Sequence, residues 1–190
     1  MIRLYGAWRT LPTRLLSAAG RMPMIIDQVV AREAHRFRNE VIKAFRTQSS
    51  GGKQWKPLSR ITLALRRAGV QGGRSGGSKA LVRSGALRNS TKVHRRGYAR
   101  YEVTQHRKGR RGADIAGIMD HGPVVIPISK KMRQYFNFMF FKGIIPFTFP
   151  RRARYIVIPR RSSMTDTWNK FKLGSRARVL ADFAAQTRTL

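Results

Sequence analysis

Two short runs in this sequence interleave cations with rings: Lys130-Lys131-Met132-Arg133-Gln134-Tyr135-Phe136 and Arg151-Arg152-Ala153-Arg154-Tyr155. Ammonium and guanidinium groups donate to phosphate oxygens and an adjacent ring offers a stacking face, so this mixture is the chemistry of nucleic-acid backbone contact. The basic loop Arg107, Lys108, Arg110 and Arg111 and the pair Arg160 and Arg161 extend the candidate set. No base-reading motif accompanies them, so the contact they support is to phosphate and not to sequence. For any one of these residues the competing explanation is a solvated basic face over a core aromatic.

The rest of the chain favours the first explanation. Its 190 residues hold 40 Lys and Arg against 8 Asp and Glu, a formal net charge of +32. A compact chain at such a charge repels itself unless a polyanion or an acidic neighbour neutralises it. The excess is not confined to a tail, because no acid lies between Glu40 and Glu102 or between Asp120 and Asp166. With 42% hydrophobic residues the chain has material for a core, which distinguishes it from a disordered polycation.

Other chemistries find little support. Cysteine is absent, which excludes disulfides and thiolate metal sites. His35, His94, His106 and His121 are too scattered for a metal pair at helical spacing. Asp120-His121 offers an acid beside a base, but neighbours on a helical turn point apart and no nucleophile stands at fixed spacing. Gly72 and Gly77 have the separation of a phosphate-binding loop, yet Ser78-Lys79 reverses the required order and the stretch reads as a linker. Eight acids leave few candidates for acid/base pairs or magnesium ligands. The expectation is a non-enzymatic protein with no cofactor and no metal. No apolar run approaches the roughly 20 residues of a membrane span.

The elements that must position the cations read as follows. A long helix is expected over Pro23–Gln48, with Pro23 in its first turn, Asp27 and Glu33 toward its positive end, and an apolar stripe of Ile26, Val30, Ala34, Phe37, Val41 and Phe45. Ser49-Ser50-Gly51-Gly52 stops it, and Ser59 caps a short helix through about Ala68. A short helix or turn over Ala80–Ser90 leads to a hairpin around Gly97, with strands Thr91–Arg96 and Tyr98–Gln105. Asp114–His121 reads as a helical turn ending at Gly122. Val124–Ile128 and Tyr155–Ile158 read as strands, and Lys130–Phe149 between them as a long loop or arm. A last helix over Ser163–Leu190 carries Leu173, Ala177, Leu180 and Ala184 on one side. The class is α+β: short, mostly antiparallel strands packed with a long N-terminal and a C-terminal helix, with extended basic loops. Residues 1–22 form a basic N-terminal extension or helix. Its first 21 residues, with Arg3, Arg9, Arg14, Arg21 and no acid, have the composition of a mitochondrial presequence as well as of an ordinary amphipathic helix. Residues 23–190 form a single domain with a Gly-rich loop at 69–79 and an aromatic, basic insertion at about 129–154.

One stretch carries a family pattern. Gly51-Gly52-Lys53-Gln54-Trp55-Lys56-Pro57-Leu58-Ser59-Arg60-Ile61-Thr62, then Leu81-Val82-Arg83-Ser84-Gly85-Ala86-Leu87-Arg88-Asn89-Ser90 after a Gly-rich gap, resembles the tailed-phage virion morphogenesis and tail-completion family. That family shows a Gly-x-x-Trp-x-Pro-Leu-Ser-x-x-Thr block followed by Leu-x-x-[Ser/Thr]-Gly-x-Leu-x-x-Ser. Ile115–Gly122 resembles its Tyr-Ala-x-x-His-x-x-Gly segment with the Tyr missing and the His displaced, and Ile158-Pro159-Arg160-Arg161 resembles the Ile-Pro-x-Arg before its last helix. The motif residues Trp55, Pro57, Leu58, Ser59, Thr62, Leu81, Ser84, Gly85, Leu87 and Ser90 read as fold residues: Trp55 and Leu58 anchor the loop to the long helix, and Ser84-Gly85 turns the chain before Leu87 packs inward.

The resemblance implies a structural neck or tail-completion protein, a subunit of a homo-oligomeric ring at the head-tail joint. It would be found in the virion, and in the host cytoplasm during assembly. Its expected partners are other neck, connector and tail-tube proteins and double-stranded DNA contacted without sequence preference, with no membrane. The alternative is an RNA-binding ribosomal protein, including a mitochondrial one.

Overall fold

The computed structural model describes residues 11–69, 77–81, 85–108, 112–146, 148–150 and 152–188. Most of the Gly-rich loop, together with Ser84, Arg110, Arg111, Arg151 and the first ten positions, lies outside the described residues. The fold is α+β. Helix α1 (Leu11–Thr47) leads to a hairpin of β1 (Ser49–Ser50) and β2 (Lys53–Gln54), then α2 (Arg60–Arg67) and α3 (Ala86–Asn89). The hairpin β3 (Thr91–Gly97) and β4 (Arg100–Gln105) follows, then α4 (Ile115–His121), β5 (Val124–Pro127), α5 (Lys130–Phe141), β6 (Tyr155–Ile158) and α6 (Thr165–Thr187). The strands form three separate antiparallel pairs, β1 with β2, β3 with β4 and β5 with β6.

Helix α1 begins 12 residues before the expected start and runs through Pro23. A proline there removes one backbone bond to the carbonyl four residues earlier. Ala19 is exposed, so water takes that carbonyl and the helix continues. No side chain ahead of Ile25 is buried among the described residues, and only Ala18 and Met22 there are half-buried, so the helix before Ile25 contributes nothing to the described core. The buried ridge is Ile25, Val29, Glu33, Phe37, Val41 and Phe45, a strict four-residue repeat. The expected stripe was one position off in its first half because an acid, Glu33, occupies the centre of the buried face. Asp27 and Glu33 therefore lie mid-helix, where the helix dipole no longer acts, and apart from Arg36 of α1 their partners are side chains and backbone of other elements.

The helix stops at Gln48, whose left-handed backbone (φ 56°) turns the chain. Its carbonyl then accepts from the Trp55 amide at 2.8 Å, and its side chain accepts from the Ala80 amide at 2.6 Å. Gly51 and Gly52 both have positive φ, as a two-residue hairpin turn requires. Trp55 is 6% exposed. It packs edge-on against Phe45 with ring centroids 5.6 Å apart, and its Nε1 donates to Ser50 Oγ and to the Ser162 carbonyl. Leu87, Ala80, Ala116 and Phe171 join this core, with Leu58 and Leu81 packed on it. Ser59 caps α2 by accepting from the Thr62 amide.

A second, smaller core links Leu65 of α2 with Met139 of α5 and Ile145. The expected loop or arm over Lys130–Phe149 is thus helical in its first part, capped by Ser129, whose side chain accepts from the Met132 amide. The β3–β4 turn sits one step later than expected, at Tyr98-Ala99, because Gly97 itself pairs with Arg100 across a bulge. Helix α6 corrects another expectation. Leu173 is 81% exposed, and Ala177, Leu180 and Ala184 face solvent with it. The docked face is instead Thr167, Phe171, Arg178 and Asp182, and it runs antiparallel along α1.

Two substitutions test the hairpin. A Cβ on Gly51 would fall 2.4 Å from the Asp166 carbonyl oxygen, whereas one on Gly52 meets only the Lys170 ammonium at 4.0 Å. Gly52→Ala should lose the left-handed backbone preference, about 1–2 kcal/mol. Gly51→Ala should lose clearly more, because α6 must also shift, and equal losses in urea denaturation would show that the hairpin tip does not support α6. Trp55→Ala should destabilise by roughly 3–5 kcal/mol. Trp55→Phe should recover most of that in the same assay, and a Trp55→Ala chain as stable as wild type would mean the ring is no anchor.

Candidate nucleic-acid interface

The structure divides the candidate cations into two groups. Lys108, Lys130, Lys131, Arg152 and Arg154 are exposed. Lys130 and Lys131 open α5, at the positive end of its dipole, where cations are unfavourable and an arriving anion is favoured. The Ile128 amide donates to the Arg154 carbonyl at 2.9 Å, so Arg152 and Arg154 stand at the same corner as Lys130 and Lys131. Lys108 lies apart, beside Asp114 at the base of its loop, and Arg107 there is half-buried.

The second group is built into the fold. Arg133 donates to the Pro150 carbonyl at 3.2 Å and to the Ala153 carbonyl, tying α5 to the segment before β6. Arg160 donates to the Asp120 carbonyl at 2.7 Å and to Asp166 at 3.1 Å. Arg161 overturns the expectation of a surface cation: it is 5% exposed and its guanidinium donates to the carbonyls of Lys56 and Pro57. Burial, and next the charge of Arg66, lower its pKa from the ordinary arginine value. Its work is to hold the Trp55 turn, because backbone carbonyls in a short Pro-containing loop need donors.

Asp120 has a role that the acid-beside-base reading did not contain. Met164 occupies the cap position of α6 and offers no side-chain acceptor. Asp120 supplies one from α4, accepting from the amides of Met164 and Thr165 and from the hydroxyls of Ser162 and Thr165. Ser162 in turn accepts from the Asp166 amide at 3.0 Å. His121 is exposed and takes no part. Burial pushes the Asp120 carboxyl up, but these hydrogen bonds outweigh it and hold the group below its ordinary range.

The other acids are equally committed. Asp27 binds Arg95, Tyr101 and the Ala99 amide. Glu33 binds Arg178 and Arg36, while Asp182 grips Arg36 at 2.7 and 3.1 Å. Glu40 meets Lys43, Glu102 meets Arg96, Asp166 meets Arg160, and Asp114 caps α4. All eight carboxylates are therefore engaged within the chain. Among the described residues no cluster of three His, Asp or Glu side chains could hold a metal ion, and no helix is long and apolar enough to cross a membrane. Comparison with protein-family models, with curated proteins and with solved structures finds no match to this chain.

The Asp120 cap has a definite pH signature. Its folded pKa is lowered, so its stabilisation is present above the unfolded pKa of about 4 and is lost as pH falls through the folded value. At neutral pH Asp120→Ala should cost about 1–2 kcal/mol, as removal of a cap does. The gap between wild type and variant in urea unfolding should narrow as the pH is taken below about 4. A gap that stays constant through that range would mean the carboxylate charge is not what α6 uses.

Proposed function

We propose that this chain is a non-enzymatic structural subunit of a phage head-tail joint, working as a homo-oligomeric ring whose basic surface faces DNA phosphates or acidic neck partners. The observation that carries the reading is the engagement of all eight carboxylates inside the chain. None is left to neutralise the outer cations, so the counter-charge for a net +32 comes from another molecule. The corner of Lys130, Lys131, Arg152 and Arg154 offers phosphate contacts beside Tyr135 and Tyr155, which are exposed.

The kind of assembly is supported by the segments that resemble the tail-completion family. Trp55, Leu87, Asp120 and Arg161, one from each of the four segments, all bear on the junction between α1 and the start of α6. Apolar surface left open supports assembly as well. One face of the β5–β6 ribbon presents Val125, Pro127, Tyr155 and Val157 to solvent, and Phe138, Phe141, Leu173 and Leu180 are exposed on α5 and α6. Large apolar side chains left in water on several elements favour contact with other proteins.

Backbone contact makes a quantitative expectation. The purified chain should bind duplexes of unrelated sequence about equally, with log K falling against log salt at a slope of about −5 for roughly six phosphate contacts. Fluorescence anisotropy across a salt series measures the slope, and a shallow slope or a marked sequence preference would count against DNA as the counter-charge. Immunogold labelling of particles should place the chain at the neck. Labelling of ribosomes instead would end the reading.

A further inference from the structure

Between the C-terminal half of α1, the β1–β2 hairpin and the first turns of α6 lies an open cavity of about 610 Å³, within the usual size of small-ligand sites. None of the exposed candidate cations lines it. Four others do, Arg36, Lys43, Lys170 and Arg178, against a single acid, Glu40. Arg36 and Arg178 are held by bonds of 2.7 Å to Asp182 and Glu33, so two guanidinium groups are in place before any ligand arrives. Lys43 reaches Glu40 only at 3.5 Å between two exposed side chains, a contact worth little in water. Lys170 is exposed, enters no ion pair among the described residues, and stands over Gly52 at the hairpin tip.

Thr167 supplies an independent observation. It lines the same cavity, is 6% exposed, and its Oγ1 is buried without a hydrogen-bond partner. Native folds leave few such groups. Thr167 lines the cavity with its oxygen turned away from solvent, so a rotation about its Cα–Cβ bond would bring the hydroxyl to an anionic oxygen seated there.

We propose that this cavity binds a phosphate group. Lys170 and Lys43 supply mobile positive charge, Arg36 and Arg178 fixed donors, and Thr167 donates its hydroxyl hydrogen. The lining comes from three elements, which suits a tetrahedral group with oxygens on every side better than a planar carboxylate. The phosphate belongs to a DNA strand or to a small phosphate ester, and the chemistry at the cavity is the same for both. The inference stands on the cavity alone, so a chain that binds phosphate here but no DNA upholds it while overturning the reading of DNA contact.

The test is calorimetric titration of the whole chain with inorganic phosphate at low salt, for wild type, Thr167→Val, Lys170→Ala and Lys172→Ala. Lys172 is exposed on the same helix but does not line the cavity, so its loss reports general electrostatics. One saturable site is expected, weakened about 10-fold by Lys170→Ala and by several-fold in Thr167→Val, with little change in Lys172→Ala. Without phosphate, Thr167→Val should melt no lower than wild type, because it keeps the shape and removes the unpartnered hydroxyl. A short duplex then separates the sources. If duplex and phosphate compete and Lys170→Ala weakens both, the cavity seats a strand phosphate. If the duplex ignores Lys170→Ala while phosphate does not, the cavity takes a small ester, and either result upholds the site. Absence of saturable phosphate binding, or equal losses from Lys170→Ala and Lys172→Ala, overturns it.

Discussion

Three consecutive buried residues, Arg161, Ser162 and Ser163, hold the rest of the structure in register. Arg161 takes the carbonyls of the Trp55 turn, and its amide donates to the Met119 carbonyl of α4. The Ser162 carbonyl receives Trp55 Nε1 and the Ser50 hydroxyl. Ser163 donates to Gln105 of β4, which in turn donates to Thr91 of β3. A single extended segment thus fixes the hairpin, the Trp55 turn, α4 and the β3–β4 pair, and α6 starts directly from it. Buried polar groups of this density stabilise only when each finds its partner. That requirement ties together pieces of chain more than a hundred residues apart, as the Ser50–Ser162 contact shows.

The second organising constraint is the scarcity of negative charge. In a chain with eight acids, two are placed between the longest helices, where Glu33 and Asp182 bind Arg178 and Arg36. Arg178 also lies over the Phe171 ring at 4.2 Å, so its guanidinium closes the top of the core as well as an ion pair. Burial pushes the Glu33 carboxyl up, and the bonds from Arg178, Ser175 and Arg36 more than compensate, leaving it below its ordinary range. The acids therefore align α6 on α1 and brace the loops, and exposed cations such as Lys130, Lys131, Arg152 and Arg154 form no ion pair among the described residues. Fold and charge excess come from the same allocation of residues.

What could be read from the sequence was governed by how local its cause was. Ser59 as a helix cap, the Gly51-Gly52 turn, the extended runs Val124–Pro127 and Tyr155–Ile158 taken separately and the α4 turn depend on neighbours a few residues away. The register of α1 was misread because a buried Glu33 makes sense only with Arg178 opposite it. Helix α6 was turned the wrong way round for the same reason: its docked face carries Thr167, Arg178 and Asp182, while Leu173 and Leu180 point outward. Of the candidate cations, Arg161 gave no local sign of burial, since the carbonyls it serves lie over a hundred residues earlier. The absence of a capping side chain at Met164 was the one clue that Asp120 belonged elsewhere.

The first part of α1, where no described side chain is buried, changes how far the molecule extends. Leu11–Met24 is 14 residues of helix, about 21 Å long at 1.5 Å per residue. A compact chain of 190 residues has a radius of gyration of only about 16 Å. The β3–β4 turn meets α1 at Asp27, and the end of α6 meets it where Gln186 accepts from Arg32, both beyond this arm. A helix of this length would reach beyond the body it starts from, so a neighbour could meet it while the two bodies stay separated. Because the arm is already helical, its capture by a neighbour sacrifices little chain freedom. Pro23, at its base, lets it bend without loosening the buried half of the helix.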